Sequence, residues 1–75
     1  MIIRIKEINP DSIRPIRKWL MYRGIYERDD EYQFEYYGYE YNDTGDLEFY
    51  PIIHFKRDNL LSGPELTEFT LRFGG

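Results

Sequence analysis

The sequence predicts a small α+β protein: a single helix packed on a small antiparallel sheet, elements ordered β-α-β-β-β, the last strand alternatively a short helix. Three observations carry this. The chain opens on an apolar/polar alternation, which is the pattern of a half-buried strand. A segment with apolar residues at helical spacing follows. Two long alternating segments then flank a cluster of turn-forming residues, as in a β-hairpin. Seventy-five residues hold one core, so residues 1–75 form one compact domain.

There is no cysteine, so no disulfide can support so short a chain. The core must come from a hydrophobic fraction of 41%, nearly half of it aromatic. Each buried aromatic side chain removes about 150–250 Å² from water, so a few of them can dominate a small core. This argues for a folded chain although 32% of the residues are charged.

In MIIRIKEI, Met1, Ile3 and Ile5 alternate with Arg4 and Lys6 and predict the first strand. Asn9-Pro10-Asp11 interrupts it. In DSIRPIRKWLMYRG, Ile13, Ile16 and Leu20 share one helical face with Trp19 beside them. Asp11 or Ser12 supplies the amino-terminal cap. Pro15 belongs in a first turn, which starts the regular helix near Ser12 to Arg14. Gly24 offers a left-handed stop.

EYQFEYYGYEY, residues 31–41, and LEFYPIIHFKR, residues 47–57, are the two arms of the hairpin, joined through NDTGD. Phe34 opposite Ile53 and Tyr32 opposite Phe55 make a common apolar face. That register also sets Glu31 against Lys56 and Asp30 against Arg57, which are favourable charge pairs. Nearer the turn, Tyr39 with Phe49 and Tyr41 with Leu47 continue the face, but one residue out of step. One extra residue therefore sits on the first arm, as a bulge at Tyr37-Gly38 with Pro51 opposite the disturbance. On this register Tyr32, Phe34, Tyr39 and Tyr41 are core, and Tyr37 and Tyr50 lie on the outer face.

The tail carries two patterns. Ser62 to Glu65 has capping-box spacing, and Leu66, Phe69 and Phe73 share a helical face. Phe69, Leu71 and Phe73 also alternate with Glu68, Thr70 and Arg72. The threonines and phenylalanines favour a strand.

Charge is segregated along the chain. Residues 1–26 carry six Lys or Arg against two acids, and residues 27–48 carry nine acids against Arg28 alone. Such asymmetry points to electrostatic partners. The plainer alternative is that the two segments face each other across the fold.

No catalytic, cofactor or metal site is assigned, and no enzymatic activity is expected. A chain without cysteine has no thiolate nucleophile or thiolate metal ligand. His54 is the single histidine and falls on the outer hairpin face opposite Gln33, near Glu35 and Tyr50. Asp29, Asp30 and Glu31 form a solvated run without the spacing of a calcium loop. No glycine-rich phosphate loop is present.

A tyrosine-bearing acidic surface suits a protein partner, since tyrosine offers large amphipathic contact area at modest entropic cost. The candidate contacts are Tyr37, Tyr50, Glu35, Glu48, Glu40 and Asp43, directed at a basic partner such as a nucleic-acid-handling protein. In size, acidity and composition the chain is similar to small inhibitors of phages and mobile elements that occupy the nucleic-acid site of a nuclease or defence complex. The alternative is direct nucleic-acid binding through Arg14, Arg17, Lys18, Trp19 and Arg23 of the basic helix, residues 12–23, against the repulsion of the neighbouring acids. An exposed strand edge also admits a homodimer.

The final TLRFGG resembles the diglycine tail of ubiquitin-like modifiers and sulfur carriers, through Leu71, Arg72, Gly74 and Gly75. The resemblance implies a flexible tail that presents its terminal carboxylate to an activating enzyme. The rest of the chain departs from that family, whose amino-terminal hairpin precedes the helix. The apolar run in MIIRIKEI is too short for a membrane span, so a cytoplasmic protein with no membrane partner is expected.

Overall fold

β3 (Leu47–Phe55) is the central strand of a three-stranded antiparallel sheet, flanked by β1 (Ile2–Arg4) and β2 (Tyr32–Tyr41). α1 (Pro10–Met21) and a 3-10 turn at Glu27–Asp29 separate β1 from β2, and α2 (Gly63–Phe73) follows β3. The computed structural model describes residues 1–41 and 43–75, with 39 and 40 through their backbone. The α+β class agrees with the sequence pattern, but there are two helices, not one.

The last element corrects the favoured strand and takes the helical alternative. Residues 63–73 are helical rather than a fourth strand. Ser62 Oγ accepts from the Glu65 N–H at 3.3 Å, and Glu65 Oε1 accepts from the Ser62 N–H at 3.0 Å, closing the capping box. Thr67 and Thr70, which weigh toward strand by propensity, turn their hydroxyls to the carbonyls of Gly63 and Leu66. A strand would have placed Leu71 beside Phe69 in the core, whereas Leu71 is 83% exposed.

α1 also begins earlier than predicted. Asn9, not Asp11 or Ser12, is the cap, its side chain accepting from the Ser12 N–H at 2.9 Å, and Pro10 opens the helix. Pro15 consequently lies inside the helix rather than in its first turn. It removes the bond to the Asp11 carbonyl, a loss eased by the exposure of both residues to water. Gly24, at φ 76°, ends the helix as expected, with the Ile25 N–H returning to the Leu20 carbonyl at 3.1 Å.

Phe69 joins both helices to the sheet. Its ring centroid lies 5.4 Å from Trp19 of α1, 5.6 Å from Phe55 of β3 and 5.2 Å from Phe73. Ile5, Ile16, Leu20, Ile25, Tyr32, Ile53 and Leu61 complete the buried cluster. Arg23 clamps the helices together: its guanidinium lies 3.4 Å over the Trp19 ring and bonds Glu65 at 3.1 Å and Glu68 at 3.4 Å.

The hairpin register matches the sequence reading on both sides of a bulge. Tyr32 pairs with Phe55 and Phe34 with Ile53, and beyond the irregularity Tyr41 pairs with Leu47. The extra residue is Tyr39, so the shift comes later than Tyr37-Gly38, and Phe49 pairs with Gly38 instead of Tyr39. Gly38 has no left-handed backbone. Its role is clearance, since a Cβ there would collide with the Phe49 ring. Pro51 pairs with Tyr36, ahead of the shift, and its carbonyl accepts from the Ile5 N–H at 3.0 Å. Proline is tolerated because its missing N–H faces the end of β1, where the ladder stops.

Asp30 does not pair with Arg57. It adopts a left-handed conformation (φ 55°) that closes the 3-10 turn, so β2 begins only at Tyr32, and it is the Glu31 carboxylate that takes Arg57 at 2.9 Å. The Asn42 of the expected turn and the Tyr39 side chain of the expected core lie outside the described residues.

Two outcomes check this account. Phe69→Ala should cost about 3–5 kcal/mol in urea denaturation, as for other buried aromatic truncations. Glu65 is held below the usual carboxylate range by the Ser62 N–H first, then the Ser62 hydroxyl and Arg23. A depressed folded pKa gives stability that is present above the unfolded value of about 4.3 and lost as pH falls through the folded one. The stability gap between wild type and Glu65→Gln should therefore be constant at neutral pH and close below that value.

Candidate protein-binding surface

The two helices cover half of the sheet. α1 has twelve residues and rises about 18 Å, while the ten residues of β2 extend about 33 Å. Burial along β3 follows: Ile53 and Phe55 are fully covered, and Leu47 to Phe49 are exposed. The long axis of the molecule reaches 42 Å against 25 and 22 Å for the others. The distal hairpin is thus an arm projecting beyond the helices.

On the helix-side face of this arm lie Tyr36 (60% exposed), Phe49 (60%), Leu47 (41%) and Tyr41 (74%). Register fixes them on one face, since Tyr36–Pro51, Gly38–Phe49 and Tyr41–Leu47 are consecutive inward pairs around the bulge. Tyr41 is therefore no core residue: the face it continues runs out from under the helices. Four large apolar side chains grouped on one exposed face exceed the scattered apolar residues of an ordinary surface.

The opposite face is more self-contained. Arg4, Ile52 and Glu35 stand side by side across the three strands, as do Ile2, His54 and Gln33. Ile52 is fully buried although it belongs to no helix-side cluster. The Arg4 guanidinium lies 4.4 Å over the Tyr50 ring, and His54 Nδ1 is 3.5 Å from Glu35 Oε1. Tyr37 and Tyr50 are register partners here and half-buried. Their outward placement agrees with the sequence; their prominence does not, because Arg4 of β1 reaches across to Tyr50.

Of the other candidate contacts, Asp43 and Glu48 are exposed near the arm's tip. Glu40 pairs with Glu48 in register, and its side chain lies outside what is described. The turn holds Gly45 at φ 87° with Thr44 donating to Asp46 at 3.1 Å. Between Arg28 and Lys56 the chain has eight acids and no Lys or Arg, so the whole arm bears one sign of charge.

Part of the basic helix is engaged within the fold. Trp19 is buried among Phe69 and Phe73 and has no face open for a base. Arg23 is held by α2, and Arg17 pairs with Glu27 at 2.8 Å over the Phe34 ring. Arg14, Lys18 and Tyr22 remain exposed. The glycine tail is docked: the Gly74 N–H donates to the Thr70 carbonyl at 2.8 Å and the Gly75 N–H to the Arg4 carbonyl at 3.0 Å, with Gly74 bridging Ile5. A Cβ on either glycine would crowd the backbone of Thr70 or Ile5, which explains the residue type without a free tail.

Among the described residues no group of three or more His, Asp or Glu is arranged to hold a metal ion, and no helix is long and apolar enough to cross a membrane. Comparison with protein-family models, with curated proteins and with solved structures finds no match for this chain.

Tyr36, Leu47 and Phe49 were absent from the sequence-derived contacts because their alternation marks them as core. The signal that separates them is length: strands of nine and ten residues outrun a helix of twelve. The Gly38–Phe49 contact is testable by a double-mutant cycle. Gly38→Ala should cost about 1 kcal/mol, the low end for overpacking, because the exposed ring can swing away. In a Phe49→Ala background the same change should cost close to nothing in thermal denaturation.

Proposed function

We propose that this protein is a protein–protein interaction module whose acidic, aromatic hairpin arm engages a basic surface on its partner. The observation that carries the reading is the uncovered face of Tyr36, Tyr41, Leu47 and Phe49 on an arm without a single Lys or Arg. Aromatic anchors supply the buried contact, and Asp43, Asp46 and Glu48 supply steering and orientation toward cations. Tyr37, Tyr50 and Glu35 form the reverse side of the same arm, so a cleft could grip both faces.

A basic groove that accepts such an arm is typically one that handles nucleic acid, because phosphate binding demands clustered Lys and Arg. Occupation of the groove would exclude nucleic acid sterically and by charge, the action of a cytoplasmic, phage-type inhibitor of a nuclease or defence complex. Direct nucleic-acid binding by this chain rests on Arg14, Lys18 and Tyr22 alone once Trp19 and Arg23 are committed to the core and the interhelical clamp.

Affinity capture from the native host provides the test. Tyr41→Ser and Phe49→Ser should each weaken partner retention about tenfold or more, the scale of an interface anchor, while moving the thermal midpoint little. Retention should also fall as salt is raised. Unchanged capture by both variants would remove the arm as the contact surface.

A further inference from the structure

The hydrogen bonds of the sheet determine which backbone groups remain outside it. The Lys56 N–H donates to the Glu31 carbonyl at 2.9 Å, whereas the Phe55 N–H donates to the Met1 carbonyl at 2.8 Å. Even-numbered residues of β3 therefore face β2, and odd-numbered ones face β1. In an antiparallel ladder the N–H and C=O of one residue point the same way, and successive residues alternate. Glu31, Gln33, Glu35 and Tyr37 thus spend their backbone groups on β3. Tyr32, Phe34, Tyr36 and Gly38 direct theirs to the outer edge of β2.

No strand lies beyond β2 among the described residues. The edge of β1, in contrast, is three residues long and already receives the Gly75 N–H. From Phe34 to Gly38 the β2 edge is regular and carries neither proline nor lysine, the residues that commonly blunt an edge. Its two sides differ in chemistry. Phe34 and Tyr36 stand on the helix-side face, opposite Ile53 and Pro51, and Glu35 and Tyr37 stand on the other, opposite Ile52 and Tyr50.

We infer that the outer edge of β2 receives a fourth strand from the partner, an extended segment that alternates apolar residues with Lys or Arg. This rests on the reading of the arm as a protein-binding surface and names how it binds. Side chains of an added strand alternate between the faces, so one set lies beside Phe34 and Tyr36 and the other beside Glu35. Main-chain bonds supply affinity, and the alternation supplies selectivity. A second copy of this chain fits the edge poorly. Pairing β2 with β2 would bring together two arms that each lack any cation between Arg28 and Lys56.

The probe is a capped nine-residue peptide alternating valine and lysine, titrated into the full chain and followed by amide exchange. On binding, the Phe34 and Tyr36 amides should slow by about tenfold or more, as edge groups do when they enter a ladder. Tyr36→Pro removes an edge-facing donor and leaves the bonds between β2 and β3 in place, so it should abolish binding. Tyr36→Val should keep it within about threefold, because the donor is retained. The same peptide N-methylated at its paired positions should not bind, which tests the edge even if Tyr36→Pro fails to fold. Neither should a valine–glutamate peptide.

Equal binding by Tyr36→Pro, protection elsewhere in the chain, or no binding by the valine–lysine peptide would each overturn strand addition. Protection of Phe34 and Tyr36 without peptide, together with dimeric sedimentation, would assign the edge to a second copy instead. None of these results removes the arm as a protein-binding surface; that reading falls only if Tyr41→Ser and Phe49→Ser leave partner capture intact.

Discussion

The contact of Phe69 with Trp19 and Phe55 is the constraint on which the rest of the molecule depends. It fixes both helices over one end of the sheet, because Trp19 sits near the carboxyl end of α1 and Phe55 ends β3. The Arg23 clamp to Glu65 and Glu68 holds the same pair of helices from the surface side. Among the described residues the buried apolar side chains cluster near these, with Ile52 on the opposite face of the sheet the exception. What lies more than a few residues from Phe55 along β3 has no layer to cover it.

That arrangement gives the acids of the middle segment their place. Arg17 of α1 pairs with Glu27, and Arg23, just past the end of α1, pairs with Glu65 and Glu68, close to the helices. The arm, without Lys or Arg of its own, keeps a uniform negative sign beyond the helical layer. Its apolar residues would be a liability on a neutral surface. Like charges around them disfavour self-pairing while leaving them open to a basic partner. Stability and exposure are thus divided between the two ends of one hairpin.

Much of this was legible in the sequence, and the limits have physical causes. Parity fixed the hairpin register, because a one-residue slip would expose Phe34 and bury Glu35. It also required a bulge, but Gly38 attracted the assignment by its backbone freedom when its actual service is room for Phe49. The tail misled through β-propensity at Thr67 and Thr70, which hydroxyl-to-carbonyl bonds make harmless in a helix. Trp19 read as a stacking platform because composition does not say which side of a short helix a second helix will cover. Once α2 replaces a strand, that side is settled; Tyr41 and Phe49 read as core by alternation alone, which does not show how far along the sheet the helices reach.

The central claim is that the distal hairpin is an arm and no part of the core. Its most direct test replaces residues 38–49 with Asn-Gly, which closes the Tyr37–Tyr50 pair with a two-residue hairpin turn. The shortened chain should unfold cooperatively with a midpoint within about 8 °C of the full chain, the equivalent of roughly 1 kcal/mol in a domain of this size. Loss of cooperative unfolding, or a midpoint lower by about 20 °C or more, would place the arm in the core and contradict it.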